Sequence, residues 1–141
     1  MPAEVLIDTG AILALLDKRD RWHAACLHTL RQLRFPLLTS EAVLTETFDL
    51  IRRSRTEVDA VWGFIRSGTI TIAAIGNPEL SQINNLMNRY KDRPMDFADG
   101  TLVHLAERES IQVVFTVDQN DFATYRIGGR RRFQVIPVER P

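Results

Sequence analysis

Two short apolar segments of this chain each end at an aspartate, and this pattern restricts the fold more than any other feature. Residues 5–7 precede Asp8, and residues 113–117 precede Asp118. A short apolar run of this kind is typical of a buried parallel strand. In open α/β sheets, ligands bind outside the carboxyl ends of the strands. We therefore expect both aspartates at the edge of a sheet where a binding crevice forms.

Strand-like and helix-like segments alternate along the whole chain. The strand patterns cover residues 5–8, 35–38, 69–74, 113–118 and 133–138; the helical patterns cover residues 11–17, 22–33, 40–54, 56–67, 78–90 and 96–110. Strands separated by helices favour a mostly parallel sheet with right-handed crossovers. The last strand is expected at an edge, because Pro137 cannot donate a ladder hydrogen bond. We expect one domain over residues 1–141.

The composition excludes several classes of protein. No apolar run approaches the length of a membrane span, and the first residues lack a signal-peptide pattern, so we expect a cytoplasmic protein that does not contact a membrane. Cys26 is the single cysteine, which excludes an internal disulfide and a cysteine-based zinc site. It is expected to be a small core residue. The three histidines have no spacing that requires a metal site.

Arginine dominates the basic residues, although the net charge is zero. Three arginines, Arg130, Arg131 and Arg132, stand together after two glycines. Arginine makes planar, bidentate contacts with phosphate that lysine does not make. The cluster could therefore bind a nucleic-acid backbone, or it could be a solvated loop before the last strand.

Two further acids occupy positions where a helix is expected to face the core. Glu46 has Val43 and Leu50 at helical spacing, and Asp99 has an apolar stripe at residues 102, 103 and 106. Neither acid has a lysine or arginine three or four residues away. A buried carboxylate is costly unless it is paired or binds a metal. The pattern indicates a metal site, although Glu46 could instead turn to solvent at the margin of its stripe.

Five of the candidate acids, Asp99 among them, also have a purely structural interpretation. Asp8 could cap the following helix, Asp96 and Asp99 fit an acidic cap pair, and Asp118 with Asp121 fits a turn. Two strand-end carboxylates would repel each other, however, unless a cation lay between them. A hard divalent cation with oxygen ligands is the usual candidate. Both interpretations stay open for these five residues.

Four segments in this order resemble the PIN-domain family, especially the VapC-type toxin nucleases of bacterial toxin–antitoxin operons. The segments are residues 6–10, 39–46, 96–103 and 115–122. The resemblance covers residues 5 to about 138 and implies a three-layer α/β/α PIN-like domain around a mostly parallel sheet of about five strands. Gly100 departs mildly from the alanine expected after the third acid.

The resemblance also implies a function and its residues. Asp8, Glu46, Asp99 and Asp118 would form an acidic quartet that cleaves RNA endonucleolytically with Mg²⁺ or Mn²⁺, and Asp8 and Asp99 are the first candidates for direct ligands. Asp96 and Asp121 would be auxiliary acids. Apart from the resemblance, the two-residue period of a strand places Thr116 on the same face as Asp118, so its hydroxyl could orient a ligand or simply pack in the sheet. If RNA is the substrate, the cluster of Arg130, Arg131 and Arg132 could bind its backbone. A cognate antitoxin and a homodimer are the expected protein partners.

Other functions fit the residues less well. A phosphotransferase that forms an aspartyl phosphate would need a second acid where this chain has Gly10, and a receiver domain would need a lysine near its last strands. A PIN-like module that binds RNA or protein without cleavage is the main alternative. The helix with Trp62 and Phe64 could support a dimer or a partner groove.

Overall fold

The sheet of this protein is fully parallel. The computed structural model describes residues 2–141. Its strands are β1 (Val5–Ile7), β2 (Leu37–Ser40), β3 (Ile70–Ala73), β4 (Val113–Phe115), β5 (Arg126–Ile127), β6 (Arg131–Arg132) and β7 (Gln134–Ile136). Five of them form one sheet in the order β3-β2-β1-β4-β7, and every neighbouring pair is parallel. The other two, β5 and β6, form a small antiparallel hairpin.

Seven α-helices lie among the described residues, and most connect parallel strands. They are α1 (Thr9–Leu16), α2 (His23–Leu30), α3 (Glu41–Ile51), α4 (Arg55–Arg66), α5 (Leu80–Arg89), α6 (Phe97–Arg108) and α7 (Gln119–Thr124). A turn of 3₁₀ helix, Asn77–Glu79, precedes α5. Side chains of Ser40, Ser54 and Asp96 accept hydrogen bonds from the first turns of α3, α4 and α6. Such caps satisfy backbone donors that have no partner inside the helix.

The strand order places the switch point of the sheet between β1 and β4. The chain first builds outward from β1 to β2 and β3, and then returns to the other side of β1 with β4. Leu6 of β1 pairs with Val114 of β4, so the two strands end at the same level. The point at which a doubly wound sheet reverses its order is where ligands bind. Asp8 and the segment that leads to Asp118 leave the sheet at this point.

The hydrophobic core lies between the central strands and α6. Residues 5–7, 98, 100–106, 114 and 115 are all buried. Gly100 lies where α6 faces α5, and a Cβ atom at this position would lie 3.1 Å from Ile83 Cγ2. The glycine therefore permits a close approach of the two helices, which explains the departure from alanine.

The expected three-layer α/β/α fold with about five strands is confirmed, and so is the edge position of the last strand. Cys26 is buried, as predicted. Three local features differ from the sequence interpretation. The segment after Asp118, for which a turn was one interpretation, forms helix α7, and the hairpin of β5 and β6 was not predicted. Helix α2 ends at Leu30, whereas the helical pattern extended to residue 33. The single-domain assignment stays a prediction. None of the helices in the described part of the chain is both long and apolar enough to span a membrane.

Candidate active site

Asp8 lies at the end of β1 and is almost completely buried, with 2% of its surface exposed. Its Oδ1 accepts a hydrogen bond from the backbone N–H of Thr9 at 2.7 Å, and its Oδ2 accepts one from Thr116 Oγ1 at 2.9 Å. The first contact makes Asp8 the N-cap of α1, as the structural interpretation predicted. Since each carboxylate oxygen has two lone pairs, both oxygens can still take a further partner.

Asp118 is joined to Asp8 through Thr116. The same Thr116 Oγ1 that donates to Asp8 accepts the backbone N–H of Asp118 at 2.9 Å. Gly10, in the first turn of α1, allows Val117, the residue before Asp118, to lie close to this helix, because a Cβ atom at position 10 would overlap Val117 Cγ2. The hydroxyl of Thr116 therefore orients an acid rather than merely packing in the sheet.

Asp99 projects from the first turn of α6 and is half-buried. Its backbone N–H donates to Asp96 Oδ1 at 2.8 Å, so Asp96 is the N-cap of α6. Its own Oδ2 accepts a hydrogen bond from the Tyr125 hydroxyl at 3.0 Å. Sequence spacing does not indicate this contact, because Tyr125 lies 26 residues from Asp99 in the chain.

The prediction that Glu46 lies on the apolar stripe of its helix was wrong. The buried side of α3 carries Val43, Thr47 and Ile51, whereas Glu46 is exposed and Leu50 is 62% exposed. The buried stripe of α3 therefore contains Thr47 and Ile51 in the places where Glu46 and Leu50 were expected. Glu46 nevertheless lies close enough to the strand ends for its negative charge to raise the pKa of Asp8 and Asp118.

The acids share one electrostatic environment. Burial, followed by the charge of Asp118, raises the pKa of Asp8 to about 7. Burial, followed by the charges of Asp8 and Asp96, raises the pKa of Asp99 to about 8. Asp118 is exposed, but partial desolvation of its carboxyl group, followed by the charges of Asp121 and Glu46, also raises its pKa. Neighbouring carboxyl groups whose charges raise one another's pKa are typical of a functional site.

The auxiliary acids have structural partners. Asp121 forms an ion pair with Arg93, with 2.8 Å between Oδ1 and a guanidinium nitrogen. Sequence spacing could not indicate this contact, because the two residues are far apart in the chain. Within residues 2–141, by contrast, Asp8, Asp99 and Asp118 form no ion pair with a lysine, arginine or histidine.

The site suits a hard divalent cation in its chemistry, although the ligands are not fully assembled. Among residues 2–141, no group of three histidine, cysteine or acidic side chains is close enough to hold a metal ion by itself. Mg²⁺ usually binds through one or two carboxylates and completes its shell with water and substrate phosphate. Asp8 and Asp99 supply that number of carboxylates, and their mutual repulsion would be relieved by a cation.

The three consecutive arginines lie in the hairpin that follows Tyr125. Arg131 and Arg132 form β6, both exposed, and Arg130 is exposed in the connecting turn. Gly128 and Gly129 adopt left-handed backbone angles, φ 60° and 77°, that the turn requires. The expected solvated loop is thus a hairpin, and it presents the arginines to solvent.

The buried histidine of α6 belongs to a separate network. His104 Nε2 lies 2.7 Å from Glu79 Oε1, and Arg108 donates to the same oxygen at 2.8 Å. Arg108 also donates to the backbone oxygen of Ala74. These contacts tie the segment before α5 to α6, a structural role that agrees with the prediction for the histidines.

Comparisons with known proteins agree with this geometry. The family model described as PIN domain matches residues 5–127. The chain belongs to the PIN-domain family. It is 32% identical over 136 residues to Ribonuclease VapC26 of Mycobacterium tuberculosis, an alignment that covers 94% of this chain and 100% of the relative. The predicted resemblance to VapC-type proteins is therefore confirmed.

A solved PIN-domain structure supports the fold independently. The crystal structure of VapC20 of Mycobacterium tuberculosis, described as a sarcin–ricin loop-cleaving toxin, superposes with a TM-score of 0.73. The match covers 82% of this chain and 91% of the other, with 22% sequence identity. At this identity the likeness shows that the two chains share a fold.

Proposed function

We propose that this PIN domain is a metal-dependent endoribonuclease and the toxin of a toxin–antitoxin pair. The observation that supports the proposal most directly is the hydrogen-bonded link between Asp8 and Asp118 through Thr116 at the sheet's switch point. Asp99 lies near enough for the charge of Asp8 to add to burial in raising its pKa. None of the three acids forms an ion pair within residues 2–141. The name of the relative Ribonuclease VapC26 gives the class of reaction.

In this proposal, Asp8 and Asp99 bind Mg²⁺ or Mn²⁺. A cation bound there would lower the pKa of a coordinated water and neutralise charge on the phosphate. Thr116 holds the Asp8 carboxylate in place, and the helix cap at Asp96 fixes the backbone of Asp99. Glu46 and Asp118 are free to bind the cation directly, to hold a water, or to accept a proton from the attacking water. Asp121, paired with Arg93, acts through its charge alone.

Partners follow from the same proposal. Arg130, Arg131 and Arg132 contact the RNA backbone, and a cognate antitoxin covers the acids. Exposed apolar side chains, Leu50 on α3 and Trp62 on α4, support a protein partner or a homodimer at that face. Trp62 packs against Phe48 with a centroid distance of 5.2 Å, so α3 and α4 would present one continuous surface. The protein would act in the cytoplasm.

Cleavage of labelled RNA tests the function. We expect cleavage with Mg²⁺ or Mn²⁺, none after chelation, and recovery when the cation is restored. Asp99→Asn should abolish the reaction while it preserves RNA binding. Asp59→Asn, which changes an exposed acid paired with Arg55 on α4, is the matched control and should cleave normally. Cleavage at full rate by metal-free protein, or by Asp99→Asn, would contradict the proposal.

A further inference from the structure

We infer that Tyr125 is a positioning residue of the active site, whose hydroxyl holds one oxygen of Asp99 and leaves the other oriented for the cation. The hydroxyl lies 3.0 Å from Asp99 Oδ2. Among residues 2–141, this is the hydrogen bond that the Asp99 carboxylate receives. The inference rests on the proposed function, because it assumes that Asp99 binds metal.

The ring of Tyr125 is held rigidly, so its hydroxyl has a defined position. Its side chain is completely buried. The rings of Tyr90 and Phe122 contact it in edge-on arrangements, with centroid distances of 5.0 Å and 5.2 Å. Its backbone N–H donates to Asp121 O at 3.0 Å and ends α7. Aromatic side chains packed in this way lose little further freedom when they bind a partner.

Each of the two proposed metal ligands accepts a hydrogen bond from a side-chain hydroxyl. Asp8 Oδ2 accepts from the hydroxyl of Thr116, and Asp99 Oδ2 accepts from the hydroxyl of Tyr125. Both hydroxyls belong to the segment that carries Asp118: Thr116 lies just before this acid, and Tyr125 lies just after α7. One segment therefore fixes both carboxylates. Groups that orient metal ligands in this way commonly change metal affinity by about 10- to 100-fold when removed.

A purely structural role is the competing explanation. A buried tyrosine hydroxyl usually has a hydrogen-bond partner, and Asp99 could be nothing more than that partner. In that case, removal of the hydroxyl would lower stability and leave metal binding unchanged. The chain offers a control of matched chemistry: the Tyr90 hydroxyl, in the same aromatic cluster, accepts the backbone N–H of Arg126 at 3.0 Å, so its hydrogen-bond partner is a backbone amide rather than an acid.

Titration with Mn²⁺ by calorimetry or electron paramagnetic resonance separates the two explanations. We expect Tyr125→Phe to weaken Mn²⁺ binding about 10-fold or more, in the range found for groups that orient ligands. Tyr90→Phe should bind Mn²⁺ like the wild type, although its melting temperature falls similarly. Equal Mn²⁺ affinity in Tyr125→Phe and wild type would overturn the inference.

Two further variants complete the experiment. Asp99→Asn tests the assumption that Asp99 binds the metal. If this change leaves Mn²⁺ binding intact, the proposed metal site itself is wrong. If Asp99→Asn loses binding and Tyr125→Phe keeps it, only the role of Tyr125 is wrong. Replacement of Tyr125 by 4-aminophenylalanine keeps a donor at the same ring position. This variant should bind Mn²⁺ more tightly than Tyr125→Phe. If Tyr125→Phe does not fold, the 4-aminophenylalanine variant is compared with wild type instead: a changed Mn²⁺ affinity supports the inference, and an unchanged affinity contradicts it.

Discussion

Thr116 Oγ1 donates a hydrogen bond to Asp8 Oδ2 over 2.9 Å, across the ends of two adjacent parallel strands. The same hydroxyl accepts the backbone N–H of Asp118. One threonine thus sets the distance between two acids that would otherwise repel each other, and it stabilises the charged form of the first. The contact depends on the pairing of β1 with β4, so the fold itself builds this part of the site.

Replacement of Thr116 by valine should lower the cleavage rate of the folded protein as well as its stability. The change keeps the β-branched shape but removes the donor to Asp8, and we expect cleavage to fall about 10- to 100-fold. The free energy of unfolding should fall by about 1–3 kcal/mol, the cost of a lost buried hydrogen bond. Cleavage kinetics and urea unfolding measure the two effects.

Thr39→Val is the matched control for this variant. Thr39 Oγ1, on the neighbouring strand β2, donates to the backbone oxygen of Ile7 at 2.7 Å, so its hydrogen-bond partner is a backbone carbonyl rather than an acid. It should lose similar stability and retain its cleavage rate when folded. Similar losses of rate in both variants would mean that Thr116 acts only through stability.

Replacement of Asp8 by asparagine should abolish cleavage without unfolding the protein. Asparagine retains an acceptor for the N–H of Thr9, and the Thr116 hydroxyl can rotate to accept from the new amide. Because burial and neighbouring charges raise the pKa of Asp8, the charged form destabilises the fold, so metal-free Asp8→Asn should melt at a higher temperature than wild type at pH 8. Asp49→Asn, an exposed acid of α3, should show neither effect. A lower melting temperature for Asp8→Asn would mean that the carboxylate is stabilising in the folded protein.

The sequence was sufficient to predict the strand-end acids and their neighbourhood. Asp8 and Asp118 each follow a buried apolar run, and parallel strands bring their carboxyl ends to one edge. Asp99 could be placed because residues 102, 103 and 106 form an apolar stripe at helical spacing from it, which indicates that this side of α6 faces the core. These predictions rest on local periodicity, which a single sequence displays.

Contacts between distant segments could not be predicted. The interpretation of Glu46 failed because Thr47, a polar residue, occupies the buried stripe in its place and its hydroxyl bonds to Val43 O. The contacts of Tyr125 with Asp99 and of Arg93 with Asp121 depend on how α6 and α7 pack, which no spacing encodes. The hairpin at Gly128 and Gly129 did have a signal, since glycines between short strand-like segments are typical of such turns.

Stability of the metal-free protein should fall as the pH rises from about 4 to about 8. The pKa values of Asp8 and Asp99, about 7 and about 8, lie above their ordinary value of 3.8. The folded protein therefore binds more protons than the unfolded chain in this window, and the free energy of unfolding declines with pH. A cation that binds the deprotonated acids should reverse the trend, so Mg²⁺ should raise the melting temperature more at pH 8 than at pH 6.

Thermal unfolding at a series of pH values, with and without Mg²⁺, measures this linkage. Asp99→Asn removes one of the acids whose pKa is raised and should show a shallower decline than wild type. A metal-free stability that rises across the whole window would contradict the assignment of raised pKa values to these acids.

The arginine hairpin should supply salt-dependent affinity for RNA. Arg130, Arg131 and Arg132 are exposed, and their replacement by alanine should weaken RNA binding and reduce the slope of log affinity against log salt concentration. The matched control replaces Arg52, Arg53 and Arg55 by alanine, which removes the same charge from exposed positions at the junction of α3 and α4. Filter binding with the Asp99→Asn background, which prevents cleavage, measures both. If the two triple variants lose the same affinity and slope, net charge rather than the hairpin determines binding; a selective loss in the hairpin variant assigns the phosphate contacts to it.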